Sequence, residues 1–238
     1  MAYKSPVSPG LSWYEATVGA RPEYPALDGD RRVDVAVIGG GFTGLSAAAH
    51  LAKAGVNIAL IEAHRFGDGA SGRNGGQLGT GQRAWAEELE AELGFTRAKA
   101  LFDLAEEAKA HLLDFAAANA IEIDYRPGQL SVVHKKRYLD EYRQHADIMR
   151  ERFGYPHITY MDEAQTAQRL GSTRYFGGTR DTGTGHIHPL KLVTGTARVA
   201  AEAGAQLFEK TPATRIFSDA GGVRIETPTG TITADKCL

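Results

Sequence analysis

Residues 33–63 read VDVAVIGGGFTGLSAAAHLAKAGVNIALIEA, and the order of residue types in that stretch decides the fold. Val33, Val35, Val37 and Ile38 form a short apolar run rich in β-branched residues, which stops at Gly39-Gly40-Gly41 as a buried strand entering a tight turn does. Leu45, Ala48, Ala49, Leu51 and Ala52 then repeat with a helical period, and Gly55 stands where a helix C-terminus favours a residue tolerant of positive φ. Ile58, Leu60 and Ile61 predict a second buried strand ending at Glu62 and Ala63. The stretch is therefore a βαβ unit with GxGxxG at Gly39, Gly41 and Gly44, and an acid about 20 residues further on.

Each part has a chemical job. Gly39 permits the sharp turn, Gly41 lets the backbone approach a pyrophosphate, and Gly44 lets helix and strand pack closely. The N–H groups of the first helical turn, at Phe42 and Thr43, and the positive end of the helix dipole favour phosphate. Glu62 is placed to accept the hydroxyls of an adenosine ribose and to repel a 2′-phosphate. An NAD-binding domain and an FAD-binding domain share these features, so the following residues must discriminate. They are glycine-rich, from Gly67 through Ser71, Gly72, Arg73, Asn74, Gly75, Gly76 and Gln77 to Gly79. Such a loop offers close backbone approach and polar donors beyond the pyrophosphate, which a flavin requires and a nicotinamide domain does not.

These residues carry a resemblance. GGGFTGLSAAAHLAKAG, then IEA, then GASGRNGGQ is similar to the amino-terminal signature of the D-amino-acid oxidase superfamily of FAD enzymes, and most similar to its γ-glutamylputrescine oxidoreductase branch. The segment from Asp181 to Leu192, with His188-Pro189, resembles that branch's return into the FAD domain. The resemblance implies FAD as cofactor and oxidation of the C–N bond of a small amine, with imine hydrolysis and possible peroxide formation. It also implies a backbone approach to adenine near Ala213, where the family pattern has a bulkier Val. A non-catalytic dinucleotide-binding fragment or interaction module is the alternative reading.

Composition sets further bounds. The 238-residue chain is 42% hydrophobic, enough for a substantial core, and its 27 Lys and Arg against 29 Asp and Glu give no basic surplus for nucleic acid. Cys237 is the sole cysteine, so no internal disulfide is available. No apolar run reaches the roughly 18 residues of a membrane span, and MAYKSPVSPG lacks a signal-peptide core. A cytoplasmic protein with no nucleic-acid partner and no membrane span is expected; the oligomeric state is not specified.

The expected fold class is α/β: a Rossmann-like FAD-binding domain, with a parallel sheet and a β-meander, carrying an inserted α+β substrate lobe. Residues 1–32 read as an irregular arm broken by Pro6, Pro9, Pro22 and Pro25 and pinned by Trp13 and Tyr14. Residues 33–118 read as the first part of the FAD-binding domain, 119–187 as a partial substrate lobe, and 188–238 as the second, incomplete part. Helices are predicted over 84–93 and 96–118, with Leu101, Leu104, Ala108, Leu112 and Phe115 inward and Glu106, Glu107 and Lys109 on a solvated face. Strands are predicted over 121–125 and 129–134 about a Pro127-Gly128 turn, helices over 136–153 and 162–170, the latter capped by Asp162. A helix from Pro189 to residue 203 and a strand over 206–209 extend the parallel sheet, and strands over 214–217, 223–227 and 231–233 form the meander.

His186 and His188 make an HxH pair without a third ligand nearby, so no metal is expected. Tyr175, Arg180 and Asp181 are candidates to touch substrate; no catalytic side chain is assigned, since a flavin carries the chemistry itself. Residues 234–238 read as the start of another buried strand, and the resemblance implies a further carboxy-terminal half, so the chain is expected to be the amino-terminal portion of an amine oxidoreductase.

Overall fold

A computed structural model describes residues 12–238; Pro6 and Pro9 of the expected arm lie outside them. In chain order the elements are α1 (Trp13–Thr17), β1 (Arg31–Ile38), α2 (Phe42–Lys53), β2 (Ile58–Ile61), β3 (Gln77–Leu78), α3 (Ala86–Leu93), α4 (Phe95–Ala118), β4 (Arg126–Val132), α5 (Leu139–Glu151), β5 (Ile158–Met161), α6 (Glu163–Leu170), β6 (Gly178–His186), α7 (Pro189–Glu202), β7 (Gln206–Phe208), β8 (Arg215–Asp219), β9 (Gly222–Thr227) and β10 (Gly230–Cys237). They fall into two compact units. The first holds the described residues up to Gly75 with Ala116–Ile123 and His188–Leu238; the second holds Gly76–Phe115 and Asp124–Ile187. The boundary anticipated at 118/119 differs from this division, because α3 and most of α4 group with the second unit.

The first unit is built on a six-stranded sheet of order β7-β2-β1-β10-β9-β8. β7, β2, β1 and β10 run parallel, and β10, β9 and β8 form the antiparallel meander. β2 is buried along its whole length, the pattern of a parallel strand covered on both faces. Leu27, Val33, Ala36, Ile61, Phe208, Ile225 and Ile232 belong to one apolar cluster built around the sheet. α2 buries Leu45 with Ala48, Ala49 and Ala52, and the three small alanines let it pack closely on α7. At α7, Pro189 occupies the first turn and His188 is the N-cap, its Nδ1 accepting the Lys191 N–H at 3.2 Å. With Nδ1 accepting, a neutral ring carries its proton on Nε2, which lies 3.0 Å from the Thr17 hydroxyl.

The second unit has β6 at the centre of its sheet, with β4 along one side and β3 and β5 along the other. Ala98, Phe102, Met149, Phe153 and Tyr155 from its helices and loops pack with Ile158 into a separate core.

Several expectations are corrected. No strand forms over 121–125; β4 instead runs through Pro127 and Gly128, where a register shift between Pro127 and Gln129 absorbs the missing proline N–H. β5 and β6 were not anticipated, and the helix expected over 136–153 is a 3₁₀ turn at Lys136–Tyr138 followed by α5. Residues 234–237 do not begin a new strand; they continue β10, paired with β1 as far as Cys237, with Ala234 also paired to β9. Lys109 is buried and Leu104 is 59% exposed, so the two faces of α4 are not divided as its apolar period suggests. Trp13 is 75% exposed and pins nothing, whereas Tyr14 meets the His188 ring edge-on at 5.0 Å. No helix among the described residues is long and apolar enough to cross a membrane.

Candidate functional site

A cleft of ≈ 860 Å³ opens in the first unit where β1 turns into α2. Its floor is Gly39-Gly40-Gly41, and its sides are Glu62 and Ala63 at the end of β2, Asp68, Ser71 and Arg73 from the next loop, and Thr211 to Ala213 after β7. Gly39 has φ +105°, a conformation that side chains with a Cβ avoid. A Cβ on Gly41 would stand 2.9 Å from Ser71 Oγ, and one on Gly44 would stand 2.1 Å from the Gly39 carbonyl oxygen. The glycine spacing is therefore what allows loop and helix to approach this closely.

The α2 N-terminus has no side-chain cap from Gly41. Of its leading amides, Phe42 donates to Ser71 Oγ at 3.1 Å. Those of Gly41, Thr43 and Gly44 make no hydrogen bond among the described residues. Unpartnered amides at the positive end of a twelve-residue helix, beside an open cleft, have the chemistry that favours an anion. Glu62 adds an oriented carboxylate. Its Oε2 accepts the Gly40 N–H at 2.7 Å and its Oε1 the His64 N–H at 2.9 Å, which leaves each oxygen one further lone pair.

The far wall is braced by residues preceding β1, which sequence reasoning missed. Arg21 is buried and donates through Nη2 to the Phe66 carbonyl at 2.7 Å and Asp68 Oδ1 at 3.0 Å, and through Nη1 to Glu15 at 2.6 Å. Asp68 in turn presents its carbonyl to Arg73 Nε at 2.9 Å. Buried Glu209 accepts the Phe66 N–H at 2.8 Å and the Tyr24 N–H at 3.3 Å. Burial, reinforced by the Glu209 carboxylate, pushes the Tyr24 phenol above its ordinary range. Buried Arg and carboxylate in an otherwise irregular stretch were the available signal, but the sequence offers no means of pairing positions so far apart.

The structure brings Gly39, Gly41, Glu62, Ala63, Ser71, Arg73 and Ala213 to one cleft, with Phe42, Thr43 and Gly44 in the adjoining helical turn. Gly72 is buried beneath the loop, its Cα opposite the Gly67 carbonyl, and Asn74 turns back to accepting carbonyls of Ala70 and Ser71. Gly75 is exposed and ends the first unit. Gly76 and Gln77 are not brought to the cleft: they belong to the second unit, where Gln77 lines another cavity. Asp181 lines that cavity too, whereas Tyr175 and Arg180 do not.

Comparison with known proteins places this geometry. Residues 34–238 match the model of the DAO family, described as FAD dependent oxidoreductase. The chain belongs to that family. It is 58% identical over 238 residues to a probable oxidoreductase OrdL of Rhizobium meliloti, covering 100% of this chain and 56% of that protein. It is 34% identical over 223 residues to a gamma-glutamylputrescine oxidoreductase of Escherichia coli, covering 94% of this chain and 52% of that one. The crystal structure of a glycine oxidase from Geobacillus kaustophilus superposes with a TM-score of 0.70 at 26% identity, covering 87% of this chain and 54% of that chain. This family member thus spans about half the length of the curated relatives it matches. The family match begins at residue 34, so the Arg21 brace lies before it.

Proposed function

We propose that the cleft at Gly39–Gly41 holds the ADP part of FAD, and that the protein serves in oxidising the C–N bond of a small amine. The observation that carries the reading is the set of unpartnered amides of Gly41, Thr43 and Gly44 at an uncapped helix N-terminus, facing a cleft with a carboxylate at its other end. Those amides would take pyrophosphate oxygens. The Ser71 hydroxyl accepts from Phe42, so its own proton remains available to a phosphate oxygen. Glu62, oriented by two backbone amides, would receive the ribose hydroxyls on its remaining lone pairs and repel a 2′-phosphate. Arg21, through Asp68, keeps the Ser71 to Arg73 wall at its distance from the helix.

Bound FAD would supply the acceptor for a hydride leaving the carbon that bears the amine. The family description supports FAD over a nicotinamide. Relatives named for gamma-glutamylputrescine and for glycine, both amines, support the substrate class, with a gamma-glutamylputrescine-like compound favoured by the higher identity. The test is to purify the protein, release any bound chromophore and identify it by mass, then to screen amines for anaerobic bleaching of the FAD-loaded protein. Recovered FAD and bleaching by at least one amine are expected. Stoichiometric NADP, or bleaching by α-hydroxy acids alone, would overturn the reading.

A further inference from the structure

The second unit contains its own cavity of ≈ 470 Å³, bounded by sheet residues on one side and by helical residues such as Phe102 and Met149 on the other. A sheet face covered by helices is ordinarily apolar. Here the register places Gln129 opposite Asp181 and Ser131 opposite Thr179, so four polar side chains form one contiguous patch on that face, and all four line the cavity. The side chains of Gln129, Ser131 and Thr179 make no hydrogen bond among the described residues. None of the three is a sealed-off polar group; each is open to the cavity with its hydrogen-bonding capacity available to a molecule there.

Asp181 is the anionic member, and its geometry is directional. Lys109 is buried and its ammonium only donates, to Glu106 at 2.9 Å and to the Thr80 hydroxyl at 3.1 Å. The Tyr155 hydroxyl donates its one proton to Asp181 Oδ1 at 2.7 Å, so across the 2.7 Å to Thr80 it accepts and Thr80 donates. The Gly183 N–H reaches the same oxygen at 2.8 Å. Burial, together with the bond to Asp181, pushes the Tyr155 phenol up, so it remains a donor. Every proton in the chain points toward Asp181, which is held as a terminal acceptor. Its partners are neutral donors, and its Oδ2 makes no hydrogen bond among the described residues. A fixed carboxylate without a cationic partner among the described residues, beside amide and hydroxyl groups open to the cavity, is complementary to an ammonium on a short polar body.

We infer that this cavity is a binding site for a small organic cation, with its ammonium on Asp181 Oδ2 and its polar body on Gln129, Ser131 and Thr179. The inference does not depend on the dinucleotide reading. Trp85 lines the cavity, and the only other tryptophan is the exposed Trp13. In the full chain carrying Trp13→Phe, Trp85 emission therefore reports occupancy without any flavin. Titration with γ-aminobutyramide should give a saturable change, and butyramide, which lacks the ammonium, should bind at least about tenfold more weakly. Asp181→Asn should abolish that preference. Ser131→Ala should weaken the cation by a few fold without lowering the thermal midpoint, since its hydroxyl makes no hydrogen bond among the described residues. Equal affinity for the two probes, or a cation affinity unmoved by Asp181→Asn, would overturn the proposal. Should Asp181→Asn fail to fold, Ser131→Ala decides it: unchanged affinity for γ-aminobutyramide overturns the site. Because no flavin enters the measurement, failure here leaves the FAD reading standing, and the converse also holds.

Discussion

Replacing Arg21 by Met isolates the brace behind the cleft. The Arg21 and Asp68 side chains are 4% and 6% exposed, so the substitution leaves a carboxylate out of water without its cationic partner and strips the Phe66 carbonyl of a donor. Breaking one side of a buried ion pair costs about 3–5 kcal/mol. If that cost falls on local opening of the loop over residues 64–73, amide exchange there should accelerate by roughly 10²- to 10⁴-fold. The Phe66 N–H, held by Glu209, and the Asp68 N–H, held by the Arg65 carbonyl, are suitable reporters for hydrogen–deuterium exchange. The double variant Arg21→Met with Asp68→Asn should recover part of the loss, because the more deeply buried of the two carboxylates that Arg21 pairs with, 6% exposed against 17% for Glu15, no longer carries an orphaned charge. Exchange within threefold of wild type in Arg21→Met would refute the claim that this pair fixes the wall.

Two further perturbations test the packing of each unit separately. Gly44→Ala inserts a methyl 2.1 Å from the Gly39 carbonyl oxygen and 3.1 Å from Val37 Cγ1, so α2 must move off β1; a loss of about 1–3 kcal/mol or more is expected by thermal or urea melting, and an unchanged midpoint would contradict the close approach. Glu87 lies 2.9 Å from His145 Nδ1; burial acts to raise its carboxyl, but the hydrogen bonds from His145 and the backbone and the His145 charge outweigh it and hold the group below its ordinary 4.5. A folded value below the unfolded one means that the stability contributed is full above 4.5 and is lost as pH falls through the depressed value. The stability difference between wild type and Glu87→Gln should accordingly shrink as pH falls below 4.5; a difference that grew there would reverse the sign.

What the sequence disclosed follows from where the constraints reside. Residues 33–63 were legible because each demand there falls on a single residue type: β-branched runs for buried strands, glycine where a Cβ collides, an acid at the strand end. α6 was legible from Asp162 and Gln165, which form a capping box within four residues. β6 was not, since GTRDTGTGH has no Val, Ile, Leu or aromatic residue and so no apolar alternation; its three partner strands define it rather than its own residues. Pro127-Gly128 carries turn chemistry, yet tertiary pairing with β6 made it a bulge. Lys109 reads as a solvated charge by period alone, and the partner that draws it inward, Thr80, lies 29 positions away. The cleft's near wall was local and visible, while Arg21, Asp68 and Glu209 meet only when the chain folds.

The central claim is that the α2 N-terminus and Glu62 form the ADP half of an FAD site. It is tested most directly by titrating the 238-residue chain with FAD by fluorescence, with ADP and NADP as competitors and Gly41→Val as the control. The account predicts saturable FAD binding, displacement by ADP but not by NADP, and loss of binding in Gly41→Val, whose side chain would crowd Ser71 and fill the phosphate position. FAD binding that survives Gly41→Val undiminished, or that NADP displaces as well as ADP does, would contradict it.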